Sequence, residues 1–247
     1  RDQGKWEGKY LQRYFLTTFV ICLVMAFPIM LIISTIGATI AYAIHESSQK
    51  VSLQVLSLPF ALIPILGLLE ANTPSPPPLY PLKTSLIVDA SPQEVWDELV
   101  AFSQIDPPRE WLFKTGISYP THAEIKGEGV GAVRHCNFTT GAFVEPITIW
   151  EEPRLLAFSV QAQPPPMVEW SIYQDMHIEH LDGYFRSERG QFLLTPLPDG
   201  KTHLEGTTWY RHNIWPSFYW RWWSDYILHQ IHFRVLKHIR KKAESKT

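Results

Sequence analysis

Cysteine is scarce in this sequence: Cys22 lies inside an apolar run and Cys136 far along the chain. A disulfide framework is therefore not expected, and a reducing compartment fits. A basic excess is missing too. Lys and Arg number 22 against 24 Asp and Glu, for a net charge of −2. That balance argues against a dedicated nucleic-acid binder. The short catalytic signatures are missing as well: no H-E-x-x-H, C-x-x-C, P-loop, G-x-S-x-G or dinucleotide fingerprint occurs. The glycines of "GEGVG" lead into a strand rather than a helix, so they cannot cradle a phosphate at a helix N-terminus. No internal repeat is visible.

Charge itself is missing from Phe15 to Ile44, thirty residues without Asp, Glu, Lys, Arg or His. About twenty apolar residues cross a hydrocarbon core, so this stretch predicts a transmembrane helix. Pro28 is a candidate kink within it. A second apolar run, Val51 to Ala71, is long enough to cross but carries Gln54, Pro59 and Pro64. It reads as a second span or as an interfacial or re-entrant segment. Arg1, Lys5, Lys9 and Arg13 precede the first span, while the loop after it holds only Lys50. Positive-inside bias places the N-terminus in the cytoplasm. Two spans put the remaining chain there too, which is the expectation adopted; one span would put it outside.

The organisation that follows is a basic segment at 1–14, a membrane region at 15–71, a proline-rich linker at 72–81 and a domain at 82–247. In that domain "LKTSLIVDA" alternates like a strand. Ser91, Pro92 and Glu94 then mark a helix start with a capping box, and Val95, Trp96 and Leu99 supply its apolar face. "DPPREWLF" suggests a second short helix capped by Asp106. Strands are expected near Val130–Thr140, Ala142–Glu151, Leu155–Gln161, Tyr173–Leu181, Tyr184–Pro196 and Lys201–His212. A long helix, about Pro216–Glu244, closes the chain, with Trp220, Trp223, Ile227, Ile231 and Val235 at helical spacing. The expected class is α+β: a curved antiparallel sheet around a long C-terminal helix, preceded by one or two transmembrane helices.

Four stretches carry a family resemblance: "VDASPQEVWDELV", "GEGVGAVRHCNF", "EPITIWEEPRLLAFSV" and "LLTPLPDGKTHLEGTTWY". On these the domain resembles the START/Bet v 1-like superfamily, the SRPBCC or polyketide cyclase/dehydrase-like group. The resemblance spans about residues 82 to 245. It implies a helix-grip fold. It does not imply one activity, since the group includes lipid carriers, plant ligand binders, cyclases and chaperone activators. Arg134 matches the arginine of the family's G-x-G-x-x-R strand.

Several side chains invite chemistry. Arg134, His135 and Cys136 are adjacent, but strand alternation puts Arg134 and Cys136 on one face and His135 on the other. A Cys–His nucleophilic pair needs contact that such neighbours do not make. Arg134 reads either as half of a structural salt bridge or as a cation lining a cavity. His177 with His180, and His229 with His232 and then His238, are spaced for shared faces, yet a zinc site needs three or four ligands. No metal site is expected. Glu145, Glu151 and Glu152 read as a polar hairpin end rather than an acid/base pair. Trp215, Trp220, Trp222 and Trp223 are too dense for one helix face, so some must point outward. The basic end "KHIRKK" suits either a helix C-terminus or an anionic lipid surface.

The leading expectation is a membrane-anchored, non-catalytic binding module. Its helix-grip cavity would hold a lipid, isoprenoid, quinone or pigment, with Arg134, Phe138, Phe158, Tyr210, Trp220 and Trp223 as candidate lining. No cofactor beyond such an occupant is expected, and membrane lipids are the expected partners. The alternative is an accessory subunit of a larger membrane complex, with integral membrane proteins as partners and the domain as a docking cap. A cyclase or dehydrase enzyme ranks third, because no acid/base pair stands out.

Overall fold

The computed structural model describes residues 24–43, 46, 77–167 and 185–246. They fall into two units, one holding the apolar helix and the other the residues from Pro77 onward. The expected second span at 51–71, the strand at Tyr173–Leu181 and the pair His177 and His180 lie outside the described residues.

Helix α1, Val24–Ala43, has 20 residues and a mean hydropathy of 2.1. At 1.5 Å per residue it is about 30 Å long, the thickness of a hydrocarbon core. It is long and apolar enough to cross a membrane. Thr35 and Thr39 donate their hydroxyls to the carbonyls of Leu31 and Thr35, at 2.7 and 2.8 Å. Neither hydroxyl is then left unpaired in apolar surroundings.

The second unit begins with β1 (Tyr80–Val88), α2 (Pro92–Val100) and a 3-10 turn (Trp111–Thr115). Six strands follow: β2 (Pro120–Lys126), β3 (Val133–Phe138), β4 (Gly141–Glu151), β5 (Leu155–Ser159), β6 (Phe185–Pro196) and β7 (Thr202–His212). Helix α3, Ser217–Ala243, ends the unit. The strands make one antiparallel sheet in the order β1-β7-β6-β5-β4-β3-β2. Consecutive strands β1 and β2 thus occupy opposite edges, and α2 with the 3-10 turn carries the chain between them. Register shifts at Pro120/His122, Ile147/Ile149 and Ser187/Arg189 bend the sheet where a residue is added to one strand. The result is a helix-grip fold, a curled sheet closed by a long C-terminal helix.

Local chemistry sets the helix starts. The Ser91 hydroxyl accepts from the Glu94 amide at 3.4 Å, and the Glu94 carboxylate accepts from the Ser91 amide at 2.8 Å. This is the expected capping box, and Val95, Trp96 and Leu99 are buried as its apolar face requires. The helix expected at "DPPREWLF" is replaced by the 3-10 turn starting at Trp111, and the residue before it, Glu110, makes no side-chain cap. The reason is Pro107 and Pro108. A proline after the cap is tolerated, but Pro108 disfavours helical geometry in Pro107, which would be the first helical residue. The Asp106 carboxylate instead accepts from Lys241 on α3 at 3.0 Å. Strand β2 had no counterpart in the sequence reading. As an edge strand it buries only Pro120 and Ala123 and leaves Glu124 and Lys126 in solvent, so its apolar alternation is faint.

The core lies between the sheet and the C-terminal half of α3. Val235, Leu236 and Ile239 pack there with Val95 and Leu99 of α2 and with Leu156, Leu194 and Leu204 of the sheet. The expected inward stripe of α3 is right at Trp223 and Val235 and one residue off at Ile227, where Leu228 is the buried neighbour.

Candidate functional site

The β3–β4 hairpin places Arg134. Its alternation buries Arg134 and Cys136 and turns His135 to the other face. Arg134, 1% exposed, lies opposite Glu145 on β4 and forms a buried ion pair with it. Its Nε donates to the Val100 carbonyl at 3.1 Å, satisfying one of the free acceptors that end α2. The guanidinium carbon lies 5.4 Å from the Phe102 ring centre and 5.6 Å from those of Phe158 and Phe192. Arg134 Nη2 has no hydrogen-bond partner among the described residues. Burial pushes the Glu145 carboxyl up, and Arg134 pulls it part of the way back. Burial, then the Glu145 charge, pushes the Cys136 thiol up to about 12, so it stays protonated and unreactive.

Glycines face two of these rings, and one of them makes room for its ring. Gly190 pairs with Phe158 across β5–β6, and a Cβ there would stand 2.5 Å from the Phe158 ring. Gly206 pairs with Phe192 across β6–β7, where a Cβ would meet that ring at 3.4 Å. The aromatic rings therefore lie across the sheet and fill the space beneath the helix. Phe138 packs on Phe143, with ring centres 4.7 Å apart, at the margin of the same cluster.

Tyr210, Trp220 and Trp223 gather elsewhere, at the N-terminal end of α3. Tyr210 belongs to a separate apolar cluster with Leu82 and Leu228. Its hydroxyl donates to Asp225 at 2.6 Å. Burial and that hydrogen bond raise its pKa. Asp225 also faces Arg221 at 3.6 Å, and the Arg221 guanidinium lies over the Tyr80 ring at 4.5 Å. The Tyr80 hydroxyl is 3.1 Å from that of Ser217. These groups line an open groove of about 550 Å³ whose walls are Tyr80, Ser217, Phe218, Arg221, Trp222 and Asp225. Trp220 donates its indole N–H to the Trp215 carbonyl at 3.1 Å and so ties the preceding loop to the helix.

Two buried polar side chains stand at this end without partners among the described residues: both ring nitrogens of His212 and Nε1 of Trp223. His212 stacks on Tyr80 at 5.3 Å, and burial lowers its pKa. Trp223 packs edge-on against Trp222 at 4.8 Å. The six expected lining residues thus divide. Arg134 and Phe158 touch, Phe138 adjoins their cluster, and Tyr210, Trp220 and Trp223 belong to the other end.

The remaining candidates serve the scaffold. Thr84 Oγ1 lies 2.6 Å from His229 Nδ1 and 3.0 Å from His232 Nδ1, and His232 Nε2 lies 2.8 Å from Thr208 Oγ1. One consistent assignment has Thr208 donating to His232, His232 to Thr84 and Thr84 to His229. The chain pins α3 to β1 and β7. Burial, then the His229 charge, lowers the His232 pKa to about 4. His238 sits 3.3 Å from Ser103. Glu151 pairs with Arg154, and Glu152 accepts from Gln93 at 2.6 Å. Among the described residues no group of three or more His, Cys, Asp or Glu could hold a metal ion.

The groove residues Tyr80, Ser217, Phe218, Arg221 and Asp225 were not singled out from sequence as lining. Their one sequence signal is the i,i+4 spacing of Arg221 and Asp225 on an expected helix.

No protein-family model and no curated protein sequence matches the chain. Solved structures share its path at low identity. A protein from Nitrosospira multiformis is 18% identical over 68% of this chain and all of its own, with a TM-score of 0.44. Truncated norcoclaurine synthase from Thalictrum flavum is 12% identical over 68% of this chain and 96% of its own, with a TM-score of 0.41. An aromatase/cyclase from Streptomyces is 14% identical over 68% and 94%, with a TM-score of 0.42. Likeness at this level carries nothing about activity or ligand.

Proposed function

We propose that the chain is a membrane-anchored, non-catalytic binding module that holds an apolar ligand bearing a small polar group. A lipid, isoprenoid, quinone or pigment fits that description. The observation that carries this reading is the groove at the N-terminal end of α3. It is open, and its volume of about 550 Å³ has room to seat one end of a small molecule. Phe218 and Trp222 offer apolar walls, and the Tyr80 and Ser217 hydroxyls can orient a carbonyl or hydroxyl. Asp225 is balanced by Arg221 and by the Tyr210 hydroxyl, so the groove presents little net charge to repel an apolar body. Anchorage is supported by α1; the basic residues before it favour a cytoplasmic N-terminus, and a second span at 51–71 would bring the domain to the same side.

The experiment is gentle purification of the full chain from native membranes, with identification of extractable small molecules and co-purifying proteins together. One apolar species bound near one per chain is expected. A stoichiometric protein assembly without such a species overturns the reading. That outcome belongs to a second reading, an accessory subunit whose domain is a docking cap. It is favoured by the aromatic filling of the interior around Arg134, which occupies the place where a helix-grip ligand was expected.

A further inference from the structure

Three large aromatic side chains stand out of the domain at one end. Trp215 is 59% exposed, Phe218 78% and Trp222 60%. Phe218 and Trp222 are four apart on α3 and so share one face, next to the loop that carries Trp215. Apolar rings clustered this way in water mark a surface that something covers. The chain itself indicates what. Tyr80, the first residue of β1, is a wall of the same groove. Arg211 donates to the Pro77 carbonyl, which fixes the last linker residues at this end. From the end of the second apolar run, only the eight residues Asn72 to Leu79 lead to Tyr80. The chain therefore enters the domain at the end that bears its exposed rings.

We propose that Trp215, Phe218 and Trp222 seat this end of the domain in the headgroup layer of the bilayer that α1 crosses. Tryptophan suits that layer, because its ring is apolar and its N–H can meet polar headgroups. The groove then opens toward lipid, and an apolar ligand moves between bilayer and groove without crossing water. At the opposite end of α3 two of the cations already have partners. Lys241 pairs with Asp106 at 3.0 Å and Lys246 with Glu98 at 2.6 Å, so those cations are engaged by the domain itself. The inference rests on the membrane-anchored part of the proposed function, not on the identity of the ligand.

The test uses the full chain in nanodiscs of phosphatidylcholine and phosphatidylserine, with Cys22→Ser removing one thiol. Cys136 is buried and stays unreactive. An environment-sensitive fluorophore is placed on Asn213→Cys, beside the aromatic cluster. A second preparation carries it on Asp199→Cys, in the β6–β7 turn at the other end of the sheet. Iodide is expected to quench position 213 at least about threefold less than position 199, and lipid-borne nitroxide to quench only position 213. Adding Trp215→Ala and Trp222→Ala should return position 213 to the iodide quenching of 199 while the chain stays in the disc. Equal quenching at both positions in a disc-bound chain overturns the inference alone. Shielding of position 213 that requires another membrane protein also overturns it. A chain that does not stay in discs overturns the anchorage and the inference together.

Discussion

The centre of the helix-grip domain and the N-terminal end of α3 are built from the same materials to opposite effect. Both combine an arginine, a carboxylate and several aromatic rings. At the centre, Arg134 and Glu145 are enclosed, three phenyl rings surround the guanidinium, and Gly190 leaves room for the Phe158 ring. At the end of α3, Arg221 and Asp225 face an open groove, and Phe218 and Trp222 project into solvent. Enclosure makes the first a stability element. Openness leaves the second free to bind.

The sharpest way to break this contrast is to remove one partner of the enclosed pair. Arg134→Met should cost about 3–5 kcal/mol in chemical denaturation, because it strands a buried acid. A loss below about 1 kcal/mol would show that the centre tolerates change like a surface. Next in size is pH. His232 titrates near 4 in the folded chain against 6.5 when free, so the folded state binds fewer protons between those values. Its share of stability is full above pH 6.5 and is lost as pH falls toward 4. That loss is about 3 kcal/mol. Glu145, whose pKa is raised, acts in the opposite sense above its free value. His232→Gln compared with the parent at pH 7 and pH 4 isolates the histidine, and the variant should show the flatter profile.

Gly190→Ala should cost about 1–3 kcal/mol by thermal melting, since its methyl collides with the buried Phe158 ring. Smallest is the effect of Trp222→Ala on stability, within about 0.5 kcal/mol, because the ring is exposed. The same variant should nonetheless lower ligand retention. A large loss of stability would place Trp222 in the fold rather than in the binding surface.

What the sequence reveals depends on how local the cause is. The capping box needs only Ser91 and Glu94, and the ends of α3 follow from Pro216 and the apolar spacing. The Arg134–Glu145 pair was within reach. Counting four residues outward from each side of the Phe138–Gly141 turn pairs these two positions. Strand β2 was hidden because an edge strand needs little apolar surface. The short helix expected at Asp106 does not form, because two successive prolines override an acidic cap signal. The groove was illegible for a different reason. Tyr80 and Ser217 are 137 residues apart, and only the β1–β7 register together with the path of α3 brings them together.

The most direct measurement quantifies the apolar species extracted from the full chain, purified from native membranes, for the parent and for Ser217→Trp. That substitution fills the groove and leaves Trp215, Phe218 and Trp222 in place. The expected result is one species near one per chain in the parent and at least about tenfold less in the variant, a weakening of 1.4 kcal/mol or more. Equal amounts in both, or a protein partner with no such species, would contradict the groove as the binding site.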